Sequence, residues 1–241
     1  MILAAARYDC NYGVVENEYI NGGWKCAGLN ATCEKLDESA ALLAAFIQQR
    51  PALAAKPLWL TELCYATEFG DYNVSKGCAP IPRLDFQDAM QWGRMMYADF
   101  NIVGASGWLY WNMILDMNGG PWVVSPEHDD PDQNVQQALI HVDTALGTWQ
   151  PTGAYYAMAH FGKFLPAGDA VRIGAARSSG APANLLSIAW LQPLPGGGRM
   201  VVIVMNDAFE VREVALEFRG QRATLRVSPI SFTTLVFEFQ E

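Results

Sequence analysis

The sequence predicts two folds in series, an α/β region with parallel strands and then an all-β antiparallel sandwich. Two observations carry this. Over residues 1–112, short apolar runs alternate with segments of helical period, the grammar of a parallel sheet with crossover helices. From about residue 168, six short runs rich in β-branched and aromatic residues follow one another between turn signals, the grammar of an antiparallel sandwich. With 241 residues, 51% hydrophobic and 17% charged, the chain can bury one large core or two small ones.

Each element has a local reason. Residues 2–8 are apolar enough for a buried strand, and 10–35 are rich in Asn, Gly and Cys, which reads as a long loop. "LDESAALLAAFIQQR" (36–50) is helical: Asp37 can cap it, Leu42, Leu43, Phe46 and Ile47 form an apolar face, and Pro51 ends it. "PLWL" is a short strand running into Thr61-Glu62, and a polar loop extends to Pro82. In "FQDAMQWGRMMYADF" (86–100), Ala89, Trp92, Met96 and Phe100 repeat at the helical period. "IVGASGWLYWN" (102–112) is the next strand. The six later runs are "AVRIGA", "NLLSIAWL", "RMVVIVMND", "VREVALEF", "ATLRVS" and "SFTTLVFEF", with "PLPGGG" and "NDAFE" among the turns.

Composition excludes several function classes. A formal net charge of −9 disfavours nucleic acid as a partner, since phosphate recognition needs a basic patch. No apolar run is long enough for a transmembrane helix, and "MILAAARYDC" lacks the basic start of a signal peptide. The five cysteines Cys10, Cys26, Cys33, Cys64 and Cys78 form no CxxC pair and have no histidine cluster beside them, so neither a metal site nor a cofactor is expected. Asn30-Ala31-Thr32 and Asn73-Val74-Ser75 are glycosylation sequons, which with the clustered cysteines point to a secreted or lysosomal protein.

The ends of the parallel strands are where such folds place reactive groups. Glu62 follows "WLT", and Trp108, Trp111 and Asn112 crowd the end of the next strand. A carboxylate beside indole faces suits a sugar, whose apolar faces stack on aromatic rings while an acid meets the oxocarbenium-like transition state. Taken singly, Glu62 reads equally as a solvated loop acid or a helix-cap partner, and Trp111 as core.

Two longer motifs narrow this. "GWLYWNMILDMNGGPW" (107–122) and "QPTGAYYAMAHFGKFLPAGDAVRIG" (150–174) resemble glycoside hydrolase family 30, most of all its glucosylceramidase-like branch. Tyr156, His160, Phe161, Lys163, Phe164 and Pro166 match the last-helix signature in order, and "WLTE" matches the seventh barrel strand. The resemblance covers nearly the whole chain from about residue 36. It implies the last part of a (β/α)8 TIM barrel, about strands 6 to 8, in residues 1–166, and a β-sandwich in 167–241. It implies a retaining β-glycosidase acting on a β-linked glycoside or glycolipid. A glucosylceramide-like β-glucoside comes first, with a β-1,6-glucan or β-1,6-galactan also open. Glu62 would be the nucleophile that forms a covalent glycosyl-enzyme. Trp111 would line the sugar subsite, with Asn112, Tyr8 and Trp108 beside it. His160 and Lys163 would tie the barrel to the sandwich.

The pattern also departs from the family. Its acid/base is a Glu in an Asn-Glu-Pro-like motif after strand 4, whereas here Asn17-Glu18 is followed by Tyr19. Too few residues separate Glu18 from Glu62 for three βα units, which take about 90 residues at about 30 each. Glu18 is therefore a weak acid/base candidate. Arg7, Tyr8 and Asp9 stand where the sixth strand usually ends His-Trp-Tyr. A complete barrel takes about 250 residues, so the chain reads as a C-terminal fragment whose partner is the missing N-terminal barrel half. The alternative is a non-catalytic carbohydrate-binding or structural remnant of such an enzyme.

Overall fold

The computed structural model describes residues 3–5, 31–63, 84, 86–120, 136–165, 168, 170–174, 181–182 and 184–240. By contacts the chain divides into two compact units, Met1–Tyr155 and Tyr156–Glu241.

The first unit holds two sheets. Strands β1 (Leu3–Ala5), β2 (Leu58–Leu63) and β3 (Gly107–Tyr110) form a parallel sheet in that order. Helices α1 (Ala31–Gln48) and α2 (Pro51–Ala54) link β1 to β2, and α3 (Phe86–Tyr97) lies between β2 and β3 in the chain. The expected strand–helix alternation is present, with three local differences. Helix α1 begins at Ala31, so Asp37 lies inside it; rather than capping, its carboxylate pairs with Arg94 of α3 at 3.2 Å. Pro51 opens α2 at its first turn, where a missing N–H costs nothing. Helix α3 gives way to a π-wound turn, Ala98–Val103, closed by Gly104 in the left-handed region.

The buried face of α3 is wider than its period predicts. Ala89, Trp92 and Met96 are buried as expected, and so are Asp88, Met90, Arg94 and Met95, with Asp99 buried in the turn that follows. A second, unexpected sheet follows: β4 (Ile114–Asp116), β5 (Ile140–Asp143) and β6 (Thr148–Pro151), with β4–β5 parallel and β5–β6 antiparallel. These runs of three and four residues are too short for periodicity to detect. Helix α4 (Gly153–Phe164) leads into the second unit.

Among its described residues the second unit is all-β apart from α4. Strands β7 (Val171–Ile173), β8 (Leu185–Leu194), β9 (Gly197–Asn206) and β12 (Ser231–Gln240) form an antiparallel sheet ordered β12-β9-β8-β7. Strands β10 (Arg212–Phe218) and β11 (Gln221–Val227) pair as a second antiparallel ladder. All six expected runs are strands. One face of the larger sheet supplies Ala189, Met200, Val202 and Val204, which pack with Val227, Val214, Leu216, Phe218 and Leu225 of the smaller one. The opposite face buries Leu186, Ile188, Trp190, Val201, Ile203 and Met205. On that face Phe161 of α4 meets Trp190 edge-on at 6.2 Å, and His160 stacks on Phe232 at 5.1 Å while bonding Thr234 Oγ1 at 2.7 Å. Central strand β9 is therefore apolar on both faces, which explains its unbroken "MVVIVM".

Asn206 closes the end of β9. Its Nδ2 donates to the carbonyls of Glu210 and Ser228 at 2.9 and 2.8 Å, and its Oδ1 accepts from Ala208 N–H at 3.2 Å. The residue is fully buried, so an unmade bond would not be replaced by water. Asn206→Ala should lower stability by about 2–3 kcal/mol, read as a drop in the urea midpoint of the sandwich. A midpoint within experimental error of the native one would contradict this junction.

Candidate functional site

The tips of β2 and β3 are built by a change of register. Leu60 pairs with Trp108 and Leu63 with Tyr110, so Thr61 and Glu62 together stand opposite Leu109 alone. This is a bulge, one extra residue in β2. Its cause is visible in the burial. Leu60 and Leu63, three apart, are both fully buried, which strict alternation forbids and one extra residue permits. Glu62 therefore lies within the last turn of β2 pleat, at the bulge, rather than beyond the strand. The strand ends are stitched by Trp111 N–H to Leu63 O at 2.7 Å and by Ser106 N–H to Leu58 O at 2.8 Å.

Strand β3 alternates cleanly. Trp108 and Tyr110 lie on the helix side, where the indole of Trp92 meets both edge-on, at 6.2 and 4.8 Å. Trp108 Nε1 donates to the buried Asp99 carboxylate at 2.9 Å. Leu109 and Trp111 fall on the other face, 45% and 42% exposed, beside Trp59 at 39%. The Trp59 ring rests against the Gly107 backbone, where an added Cβ would meet it at 2.8 Å. The structure thus brings Glu62, Trp111 and Asn112 to neighbouring strand ends but turns Trp108 to the opposite side from Trp111. The Trp111–Asn112 peptide is cis. Glu18 and Tyr8 lie outside the described residues.

Asn112 is gripped by the segment 136–139. Its side-chain Nδ2 donates to Gln136 Oε1 at 3.1 Å, and its carbonyl accepts Leu139 N–H at 3.1 Å. That segment is anchored in turn. Tyr110 Oη donates to Gln137 O at 2.9 Å, and Gln137 Nε2 donates to Asp88 Oδ2 at 3.4 Å. Asp88 also accepts Trp92 Nε1 at 3.2 Å and the α4 N-terminal Ala154 N–H at 3.1 Å. Three donors, one of them an N–H in the first turn of α4, suit a carboxylate that is only 2% exposed. Thr152 starts α4, its hydroxyl donating to Ala138 O at 2.9 Å. Sequence patterns missed Asp88, Gln136 and Gln137. The usable signal was a set of polar residues at core positions, with Asp88 one helical turn before Trp92.

His141 is fully buried on this side of the unit. Ala138 N–H donates to its Nε2 at 3.0 Å, so Nδ1 carries the proton and donates to Asp116 O at 2.6 Å. The ring is neutral, and burial pushes its pKa down, the Asp116 carbonyl and carboxylate opposing. Asp116 Oδ1 accepts the N–H groups of Asn118 and Gly120 at 2.7 and 3.0 Å, shaping the Gly-Gly turn. Among the described residues no group of His, Cys, Asp and Glu could hold a metal ion.

The relatives agree with this architecture. Residues 169–235 match the family model described as the glycosyl hydrolase family 30 beta sandwich domain. The chain is 27% identical over 155 residues to the lysosomal acid glucosylceramidase of Mus musculus, covering 64% of this chain and 25% of that protein. An endo-beta1,6-glucanase structure superposes with a TM-score of 0.58 at 17% identity, over 84% of this chain and 39% of that one. The catalytic domain of GH30 xylanase C from Talaromyces cellulolyticus gives 0.52 at 18% identity, over 76% and 41%. Together these findings support a region like the C-terminal part of glycoside hydrolase family 30, the family that the motifs resemble, and the chain spans a quarter of its curated relative's length.

Burial also lowers the pKa of His160. Both imidazoles resist protonation when folded, so below about pH 6.5 the unfolded chain takes up protons that the native one refuses. Their contribution is complete above that pH and is lost as pH falls. The urea midpoint should fall from pH 7 to pH 5, and less steeply in His141→Gln. An identical slope in that variant would count against a buried neutral His141.

Proposed function

We propose that this chain is the C-terminal part of a retaining β-glycosidase, with residues 1–166 contributing about strands 6 to 8 of a (β/α)8 barrel. The observation that carries the reading is the exposed face of the parallel sheet. Trp59, Leu109 and Trp111 stand 39–45% exposed on it, whereas parallel sheets are covered on both faces. Further barrel strands from outside residues 1–241 would cover that face and leave the strand tips open to a sugar. This is the partner expected for the N-terminal barrel half.

In that setting Glu62 attacks the anomeric carbon as the leaving group departs, giving a covalent glycosyl-enzyme that water then hydrolyses. The bulge at Thr61-Glu62 supports this role, since bulges re-aim side chains beside active sites. Trp111 stacks on the sugar and Asn112 hydrogen-bonds it, while Trp108 braces β3 from behind. Tyr8 remains a further candidate at the end of strand 6. The glucosylceramidase relative makes a β-glucoside on a lipid the first substrate class to try, and a secreted or lysosomal setting the first place to look.

A second reading keeps the sugar and drops the catalysis. A retaining enzyme needs a second carboxylate about 5–5.5 Å from the first. Among the described residues of the first unit Asp37, Asp88, Asp99, Asp116 and Asp143 are each committed to structural bonds. The acid/base would then be Glu18 or another carboxylate outside the described residues; without one the chain is a carbohydrate-binding remnant.

A mechanism-based fluoro-glucoside should label the native protein, and Glu62→Gln should abolish that labelling while leaving the unfolding midpoint near native. Undiminished labelling of the variant would refute the nucleophile assignment. Sugar binding without labelling in the native protein would favour the remnant.

A further inference from the structure

We propose that the Gln137–Ala138 peptide is a pH-operated switch on the end of β3, set by the charge of His141. With the imidazole neutral the peptide holds Tyr110; with it protonated the peptide turns over and releases Tyr110. The switch stands on the bonds of this segment alone. Its effect on a sugar rests on the placing of the sugar at the ends of β2 and β3.

One peptide plane carries both bonds. Ala138 N–H donates to His141 Nε2 at 3.0 Å, and Gln137 O accepts from Tyr110 Oη at 2.9 Å. In a trans peptide these two groups point opposite ways, so His141 and Tyr110 grip the same plane from its two sides. A backbone N–H can only donate, so Nε2 must hold a lone pair. Turning the imidazole over would put carbon atoms in the place of both nitrogens, so no second ring orientation serves. Nδ1–H then donates to Asp116 O at 2.6 Å. His141 and Ala138 are both fully buried, so no water can replace either bond.

A proton on Nε2 keeps one of the ring's bonds and reverses the other. Nδ1–H still donates to Asp116 O, more strongly from a cation. Nε2–H now meets Ala138 N–H, donor against donor, which is costly in a dry place. Half a turn of the peptide plane about its two flanking single bonds moves no Cα atom far and brings Gln137 O to Nε2–H, donor to acceptor again. What is given up is the bond to Tyr110. The neighbouring bonds belong to other peptide planes and survive: Leu139 N–H to Asn112 O, and Thr152 to Ala138 O and Leu139 O. The change is therefore local. Tyr110 packs edge-on against Trp92 at 4.8 Å, two residues before Asn112, so its release loosens the end of β3.

The surroundings set the direction. Burial lowers the His141 pKa, and the Asp116 carbonyl and carboxylate on β4 oppose it, so the switch is thrown in acid. On β5 itself the charged side chain is Asp143, whose Oδ1 accepts the N–H groups of Ala145 and Leu146. Strand β6 sets Gln150 opposite His141. Segment 136–139 adds only amides, α4 begins with the uncharged Gly153 and Ala154, and Asp88 of α3 reaches the segment through Gln137 Nε2.

The test follows two exchange reactions by mass spectrometry between about pH 4 and pH 8, the range that spans histidine titration. Exchange at the imidazole C2–H reads the charge of His141. Amide exchange, corrected for its intrinsic pH dependence, reads Ala138. Protection of Ala138 should fall about fivefold or more, the scale of one hydrogen bond, as His141 takes up its proton, while β8 and β9 keep theirs. Tyr110→Phe removes the bond that opposes the turn, so His141 should charge at a pH higher by about half a unit or more, a coupling that a merely structural Tyr110 would not give. Unchanged protection of Ala138 through the His141 titration would overturn the switch, and so would a native His141 titration in Tyr110→Phe. Protection lost from β8 and β9 at the same pH would mean global unfolding and would overturn it too; should Tyr110→Phe fail to fold, the native chain alone decides. Calorimetry with octyl β-D-glucoside, on the chain joined to the remainder of its barrel where binding needs it, should show affinity about fivefold weaker once His141 is charged. No binding at either pH would overturn the sugar site and leave the switch to the exchange measurements.

Discussion

The Asp88 carboxylate is the point on which the rest of the first unit depends. It is buried on α3 and accepts the Trp92 indole, the Gln137 amide and the Ala154 N–H in the first turn of α4. A buried charge is tolerable only when its lone pairs are filled, so those three donors must arrive together. Their arrival fixes the Trp92 ring between Trp108 and Tyr110, the segment 136–139 against β3, and the start of α4 against α3. From one carboxylate the order spreads to the end of β3, where the candidate sugar residues stand.

Around that anchor the two faces of the parallel sheet do different work. The helix side is closed, aromatic and hydrogen-bonded. The other side carries the exposed Trp59, Leu109 and Trp111. A bulge that keeps both Leu60 and Leu63 in the core sets Thr61 and Glu62 opposite a single residue. Packing demands on one face thus decide how the residues of the other are presented. The sandwich meets its demand differently, by making β9 apolar on both faces. Two imidazoles whose pKa burial lowers, the buried His141 and the half-buried His160, make the native state costly to keep in acid. In an acidic compartment that cost must be offset, and covering the exposed sheet face would do so.

Legibility in the sequence followed the length of each pattern. The six sandwich runs, the amphipathic 86–97 helix and the strand at Gly107 declared themselves because periodicity over several residues has one cause. Strands β4–β6 did not, since three or four residues carry no period. Asp37 reads as a cap because Asp before an apolar run usually is one; it is instead the partner of a buried Arg94, a tertiary fact no local rule contains. Trp108 and Trp111 look equivalent in "GWLYWN", and only the pleat separates them. Gln136 and Gln137 lay hidden because two glutamines after an acidic stretch of sequence resemble solvent-facing residues. They are buried by bonds to residues far away in the chain. The candidates Glu62, Trp111 and Asn112 come from the family motifs rather than from any chemistry visible at single positions.

The most direct measurement of where a sugar meets this chain is amide hydrogen exchange, followed by mass spectrometry, with and without a saturating alkyl β-D-glucoside. The account predicts slowed exchange confined to peptides spanning 58–63, 107–112 and 136–139, with the strands of the sandwich unchanged. Protection centred on the sandwich, with none at the ends of β2 and β3, would contradict it.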